Sequence, residues 1–177
     1  MQTSAEAART VAHESGRTHA GARARTGEYL TFRVGAEEYG IEILRVQEIR
    51  SYEPPTRIAG APPFVKGVVN LRGVIVPIVD LRLKLGCEQA SYDRFTVVVV
   101  LNLRGRVVGA VVDSVSDVLE LGHDDIRPAP EIDCGIDSGC ITGIGSVGRG
   151  EAARMLILLD IETMMSAPDM GLVEAGR

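Results

Sequence analysis

The sequence contains no Trp, and aromatic residues make up only 4% of it, so base-stacking platforms are poorly supplied and the core must be aliphatic. There is no surplus of positive charge: 19 Lys and Arg stand against 24 Asp and Glu, a net charge of -5. That balance argues against a nucleic-acid partner or an anionic membrane surface. Cysteine is scarce. Cys87, Cys134 and Cys140 form an odd set without C-x-x-C spacing, which speaks against a disulfide framework or a zinc site and fits a reducing cytoplasm. No apolar run is long enough to span a bilayer, and the N-terminus lacks the apolar core of a secretory signal. A soluble intracellular chain without direct membrane insertion is expected.

What the sequence does hold is Val, Ile and Leu within a hydrophobic fraction of 45%, together with 20 Gly, the composition of many short strands joined by tight turns. Its centre is Gly67 to Leu81, two β-branched runs on either side of Asn70-Leu71-Arg72-Gly73, read as a hairpin with Arg72 at its tip. Pro77 lacks a backbone N–H, so the second of these strands is expected at an edge or a bulge. Upstream, Tyr29 to Val34 and Glu38 to Ile43 alternate polar and apolar positions and predict a first hairpin. Leu44 to Arg50 changes period, with Val46 and Ile49 three apart, and predicts one or two helical turns. Pro62-Pro63 opens a further short helical turn ending near Lys66-Gly67.

Beyond the central hairpin, Asp80 is placed to cap the segment Leu81 to Leu85, and Cys87 to Arg94 connects two halves. Thr96 to Leu101 reads as a fully buried strand turning at Leu103 to Arg106 into Val107 to Val112. Ser114 to Leu121 returns to a spacing of three or four, Gly122 to Gly139 is loop-rich, and Ile141 to Val147 and Arg154 to Leu159 are strands. Asp160 caps a last helix through Met164 and Met165. Residues 1–27, with no Leu, Ile or Phe, are expected to be a disordered tail, 28–166 the folded domain and 167–177 a frayed end.

A weak internal repeat organises the domain. Gly40 to Ile49 aligns without gaps on Gly109 to Val118, and Val76 to Leu81 on Leu156 to Ile161. Each half then carries a hairpin, a helical turn, a proline-bearing loop, a second hairpin and an Asp-capped exit. Two small β-barrels side by side follow, because short strands with tight Gly turns close most easily that way.

Catalytic constellations are missing. Gly143 to Gly148 satisfies G-x-G-x-x-G, but Arg149-Gly150 turns into another strand where a dinucleotide site needs a helix, so these glycines read as a barrel hairpin. His123-Asp124-Asp125 has a metal-binding flavour, yet the only other His residues, His13 and His19, lie in the tail. No Cys is placed beside a base, and Glu37-Glu38 is a carboxylate pair in sequence only. Met164-Met165 reads as core packing. No catalytic residue, cofactor or metal is expected, and a binding module is favoured over an enzyme.

Val46-Gln47-Glu48-Ile49-Arg50, Lys66-Gly67-Val68, Asn70 to Pro77, Val79-Asp80-Leu81 and Ile126-Arg127-Pro128-Ala129-Pro130 together resemble the bacterial chemotaxis coupling protein family, CheW, from about Tyr29 to Met165. The resemblance implies a mainly β fold of two SH3-like five-stranded barrels packed side by side, with short helices and a C-terminal helix. It implies a non-enzymatic adaptor that couples chemoreceptors to the histidine kinase CheA within receptor arrays, cytoplasmic, recruited to receptor clusters at the inner face of the membrane and monomeric when free. Its partners would be the receptor's cytoplasmic tip and the kinase's regulatory domain. A helical tip binds by laying apolar positions into a groove, and the seam between two barrels is such a groove. Val46, Ile49, Gly67, Gly109 and Val118 are expected to line or border it; for Val and Ile the alternative is plain core. Glu48 is expected beside them, facing Arg72 in a surface ion pair. Arg72 and Ile75 are expected on the kinase side. Glu42, where relatives often carry Asp, is a small departure. No receiver or kinase ATP-binding segment is read in the chain, and an adaptor of a non-flagellar chemosensory system or a small β-barrel enzyme remain as alternatives.

Overall fold

Eleven strands and two short helices form among the residues that the computed structural model describes, namely 24–87, 90–130, 140–148 and 150–166. The expectations for residues 1–23 and 167–177, and for Cys134, lie outside the described residues. The first hairpin is β1 (Gly27–Val34) and β2 (Glu37–Glu42). A single 3-10 turn at Ile43–Arg45 leads into β3 (Val46–Ser51). The central hairpin is β4 (Val65–Leu71) and β5 (Val74–Asp80), followed by α1 (Leu81–Lys84). After it come β6 (Val97–Leu103), β7 (Arg106–Val112), β8 (Ser114–Leu121) and the two-residue β9 (Ile126–Arg127). The chain closes with β10 (Ile141–Val147), β11 (Arg154–Leu159) and α2 (Ile161–Met165).

These strands make two curled sheets, ordered β8-β1-β2-β11-β10-β9 and β3-β6-β7-β5-β4, so the fold is mainly β with two barrel-like units. Their edges are exchanged. β3 follows β2 in the chain but pairs with β6 of the other sheet, and β8 follows β7 but pairs with β1.

The internal repeat is visible in the geometry. Both parallel contacts put a repeat-related glycine opposite a repeat-related aliphatic residue, Gly109 against Ile78 and Gly40 against Leu158. In each unit the Asp that ends the strand donates its N–H to a carbonyl at 2.7 Å, Asp80 to Phe64 and Asp160 to Cys140. Each carboxylate then caps the next helix, accepting from the Arg82 N–H and the Thr163 N–H at 3.1 Å.

Several expected elements differ. Leu44 to Arg50 is not helical beyond the 3-10 turn, and Ser114 to Leu121 is a strand. In both, a bulge inserts one residue, between Val46 and Glu48 and between Val115 and Asp117, so apolar positions two apart become three apart and imitate a helix. β5 is an internal strand, although its ladder to β7 begins only at Ile78, which leaves Pro77 without a β7 partner. Pro62-Pro63 opens a hydrogen-bonded turn, Val65 N–H to Pro62 carbonyl at 2.9 Å, and β4 begins at once.

The core has three parts. Tyr29, Leu121, Leu156 and Leu158 fill one barrel; Leu71, Val76, Ile78, Val98, Val100 and Val111 fill the other. The largest cluster lies between them, where Leu30, Phe32 and Ile41 meet Val79, Val99, Leu101 and Ala110, and Leu159, Ile161 and Met164 close the end. Each of the Val, Leu, Ile, Phe and Met side chains among them contributes about 1.5–3 kcal/mol on burial. The interior of the seam is therefore filled by the chain's own side chains, which corrects the expectation of an open groove there: a foreign helix can reach only its rim.

Candidate functional site

The turn at the tip of the central hairpin is two residues long, because Leu71 still faces Val74 across the ladder. Such a turn needs positive φ at both positions, and Arg72 (φ +54°) and Gly73 (φ +88°) supply it. The Asn70 side chain locks it by accepting the Gly73 N–H at 2.8 Å. An Arg held in the left-handed region carries a strain of about 1–2 kcal/mol that Gly would not. The geometry aims Arg72 across at β3, where its Nη2 donates to Glu48 Oε2 at 2.7 Å.

Arg50 donates from the same strand to the other carboxylate oxygen of Glu48 at 3.4 Å. Partial desolvation works to raise the Glu48 pKa, but the hydrogen bond and charge of Arg72, then those of Arg50, outweigh it and hold the carboxyl below its ordinary value. Because β3 and β4 are the two edges of their sheet, the ion pair ties one edge to the hairpin that carries the other.

The register explains how the remaining site residues relate. Glu48 pairs with Val100, Val100 with Gly109, Gly109 with Ile78, and Ile78 with Gly67, so Glu48, Gly109 and Gly67 share one row across five strands. Both glycines are buried and their missing side chains admit the chain itself. A Cβ on Gly67 would stand 2.1 Å from the Thr56 carbonyl oxygen, where Thr56 and Val68 exchange two hydrogen bonds at 2.9 Å. A Cβ on Gly109 would stand 2.7 Å from Ile78 Cδ1 and 2.8 Å from Val98 Cγ1. Val46 is half-buried and packs at the rim of the inter-barrel cluster. Ile49, Ile75 and Val118 are among the large apolar side chains that face solvent, at 44, 61 and 52% exposure, as are Val74 and Leu44, which no sequence signal singled out.

Sequence reasoning also missed Arg82. Within Leu81 to Leu85 it reads as one more solvated cation, yet it is almost wholly buried. Its guanidinium donates to both oxygens of Asp80 at 2.9 Å, to Asp113 Oδ1 at 2.9 Å and to the Ser91 carbonyl at 2.5 Å. Tyr92 covers it, with its ring centroid 4.7 Å from the guanidinium carbon and its hydroxyl donating to Asp80 at 2.8 Å. Burial first, then the hydrogen bond and charge of Asp80, push the Tyr92 pKa well above the ordinary value. Asp113 reaches on to accept the Gly35 N–H at 2.7 Å, so the network joins the α1 end of one sheet to the β1–β2 turn of the other. A salt-bridge partner far along the chain leaves no local pattern.

For chemistry the arrangement offers little. Gly143 to Val147 lies within β10, and Gly143 and Gly145 are packed against neighbouring strands. His123 and Asp125 sit on an exposed turn in which Asp125 accepts the Gly122 N–H at 2.7 Å. Among the described residues no three His, Cys, Asp or Glu side chains gather to hold a metal ion, and no helix is long and apolar enough to cross a membrane.

Comparison with known proteins gives a consistent result. A family model described as the CheW-like domain matches residues 28–169. The chemotaxis protein CheW of Klebsiella aerogenes is 56% identical over 147 residues, covering 83% of this chain and 86% of that protein. The chemotaxis protein CheW of Bacillus subtilis is 32% identical over 145 residues, covering 81% and 90%. A crystal structure of the scaffolding protein TtCheW from Thermoanaerobacter tengcongensis superimposes with a TM-score of 0.72 at 24% identity, covering 84% of this chain and 99% of that one, and shares the fold.

Proposed function

Since the chain belongs to the CheW-like family of chemotaxis scaffolds, we propose that it couples the cytoplasmic tips of chemoreceptors to the histidine kinase CheA and takes part in building receptor arrays. It acts without catalysing a reaction, in the cytoplasm, recruited to receptor clusters at the inner face of the membrane. The observation that carries this reading is the surface around Glu48 and Arg72. An exposed ion pair on a strained turn, flanked by exposed Ile49, Val74 and Ile75, contributes little to folding and much to a surface that a partner can recognise.

The receptor face comprises Val46, Glu48, Ile49 and Val118, on the two exchanged edge strands, with Gly67 and Gly109 shaping the sheet beneath. A helical hairpin would lie along the rim of the filled seam, apolar positions against Ile49 and Val118. The kinase face comprises Arg72 and Ile75 on the central hairpin. Contacts of two unlike faces close into rings when the rotation permits, which suits a protein that alternates with a kinase domain of related fold.

The test is co-sedimentation of the full-length protein with receptor-bearing membranes, with and without CheA, alongside kinase autophosphorylation. Receptor-dependent control of the kinase that appears only when the protein is added is the expected result. Kinase control indifferent to its presence would remove the coupling role.

A further inference from the structure

A second charged centre lies at the β2–β3 crossover. Glu162 on α2 is largely covered, its side chain 16% exposed, and it uses both carboxylate oxygens. Oε2 accepts from Arg45 Nη2 at 3.1 Å, and Oε1 accepts from Arg104 Nε. Arg45 is the last residue of the 3-10 turn that carries the chain from β2 in one sheet to β3 in the other. Arg104 stands at the tip of the β6–β7 hairpin in a second Asn-Leu-Arg-Gly turn, residues 102–105, with φ +55° and the Asn102 side chain accepting the Gly105 N–H at 2.9 Å. One carboxylate thus holds the crossover, a hairpin tip of the second sheet and the helix that leaves the first.

The strand begun at this point has a weak start. β3 pairs with β6 at Val46 and Leu101, then bulges before Glu48 meets Val100. The bulge leaves Gln47 unpaired, so a single pair, Val46 with Leu101, holds the entry of β3 before the ladder resumes at Glu48. We propose that Glu162 is a positioning residue for the receptor-facing strand: through Arg45, and with Arg104 bracing the other oxygen, it sets the entry of β3 and hence the presentation of Val46, Glu48 and Ile49. The inference rests on the receptor reading given above. The three side chains border an open cleft of about 210 Å³ that is also lined by Arg25, Glu42 and Thr142, and Glu162→Gln keeps the shape of the side chain there, so the variant should still fold.

The experiment compares Glu162→Gln with the wild-type full-length protein. Amide exchange of residues 46–49, measured on the free protein, should quicken about three- to tenfold, while exchange in β5 and β7 stays as it was. Receptor-membrane sedimentation should weaken by a similar factor with CheA binding unchanged, a split that general destabilisation would not produce. Arg45→Gln combined with Glu162→Gln should be no worse than Glu162→Gln alone, since the Arg45–Glu162 contact is already lost in the single variant. Unaltered exchange at 46–49, or additive effects of the two substitutions, would overturn the inference. So would quickened exchange with receptor sedimentation equal to wild type. If the wild-type protein itself fails to sediment with receptors while exchange quickens in Glu162→Gln, the coupling reading fails and the clamp on β3 stands.

Discussion

Arg72 is an uncommon residue for the first position of a two-residue hairpin turn, where its φ of +54° suits Gly or Asn better. Replacing it with Gly removes both the strain and the ion pair to Glu48. The two effects oppose each other, so Arg72→Gly should melt within about 1 kcal/mol of wild type in urea while losing its share of CheA binding. A variant that instead unfolds would reassign Arg72 to stability. Glu48 supplies a pH signature. Its folded pKa lies below that of the unfolded chain, near 4.5, so the stabilisation is complete above that value and fades as pH falls through the lowered one. The gap in urea midpoint between wild type and Glu48→Gln should therefore be widest near neutrality and close on acidification. Tyr92 behaves in the opposite sense: its raised pKa favours the neutral phenol, a contribution present below about pH 10 and lost above it. The absorbance difference between wild type and Tyr92→Phe should place its ionisation above that pH.

At the scale of elements, α1 matters less for its four residues than for the side chain it carries inward. Arg82 balances the fully buried Asp80 and the partly exposed Asp113, and truncating it strands the Asp80 carboxylate where water is excluded. Arg82→Ala should destabilise by about 3–5 kcal/mol, read from urea unfolding, whereas truncating the exposed Arg154, which pairs with Glu38, should change little. The hairpins, both Asp caps and the buried strand β6 were legible in the sequence because each rests on neighbours within a few residues. β3 and β8 were not: one extra residue in each turned the strand's alternation into a spacing of three, and nothing local distinguishes a bulge from a helical turn. The ion pair of Glu48 with Arg72 was legible only through the family's pattern. The reach of Arg82 to Asp113 and of Glu162 to Arg45 was not legible at all, because those partners meet only after the sheets have formed.

On the scale of the whole molecule, the two barrels share the largest of their three clusters and should melt together. Calorimetry should give one transition whose van't Hoff and calorimetric enthalpies agree. Leu101→Ala, in the shared cluster, should cost about 2–5 kcal/mol and lower that single transition without splitting it. The repeat in the sequence pointed to the paired barrels but not to the filling between them, since aliphatic residues facing inward and facing a second barrel look alike along the chain. The exchanged edges carry a further consequence. Severed at the connection between α1 and β6, the N-terminal piece would keep β1 to β5 and the C-terminal piece β6 to β11, and neither would own a complete barrel. The two pieces should be inert apart and regain structure when mixed, which makes this scaffold a natural candidate for fragment complementation.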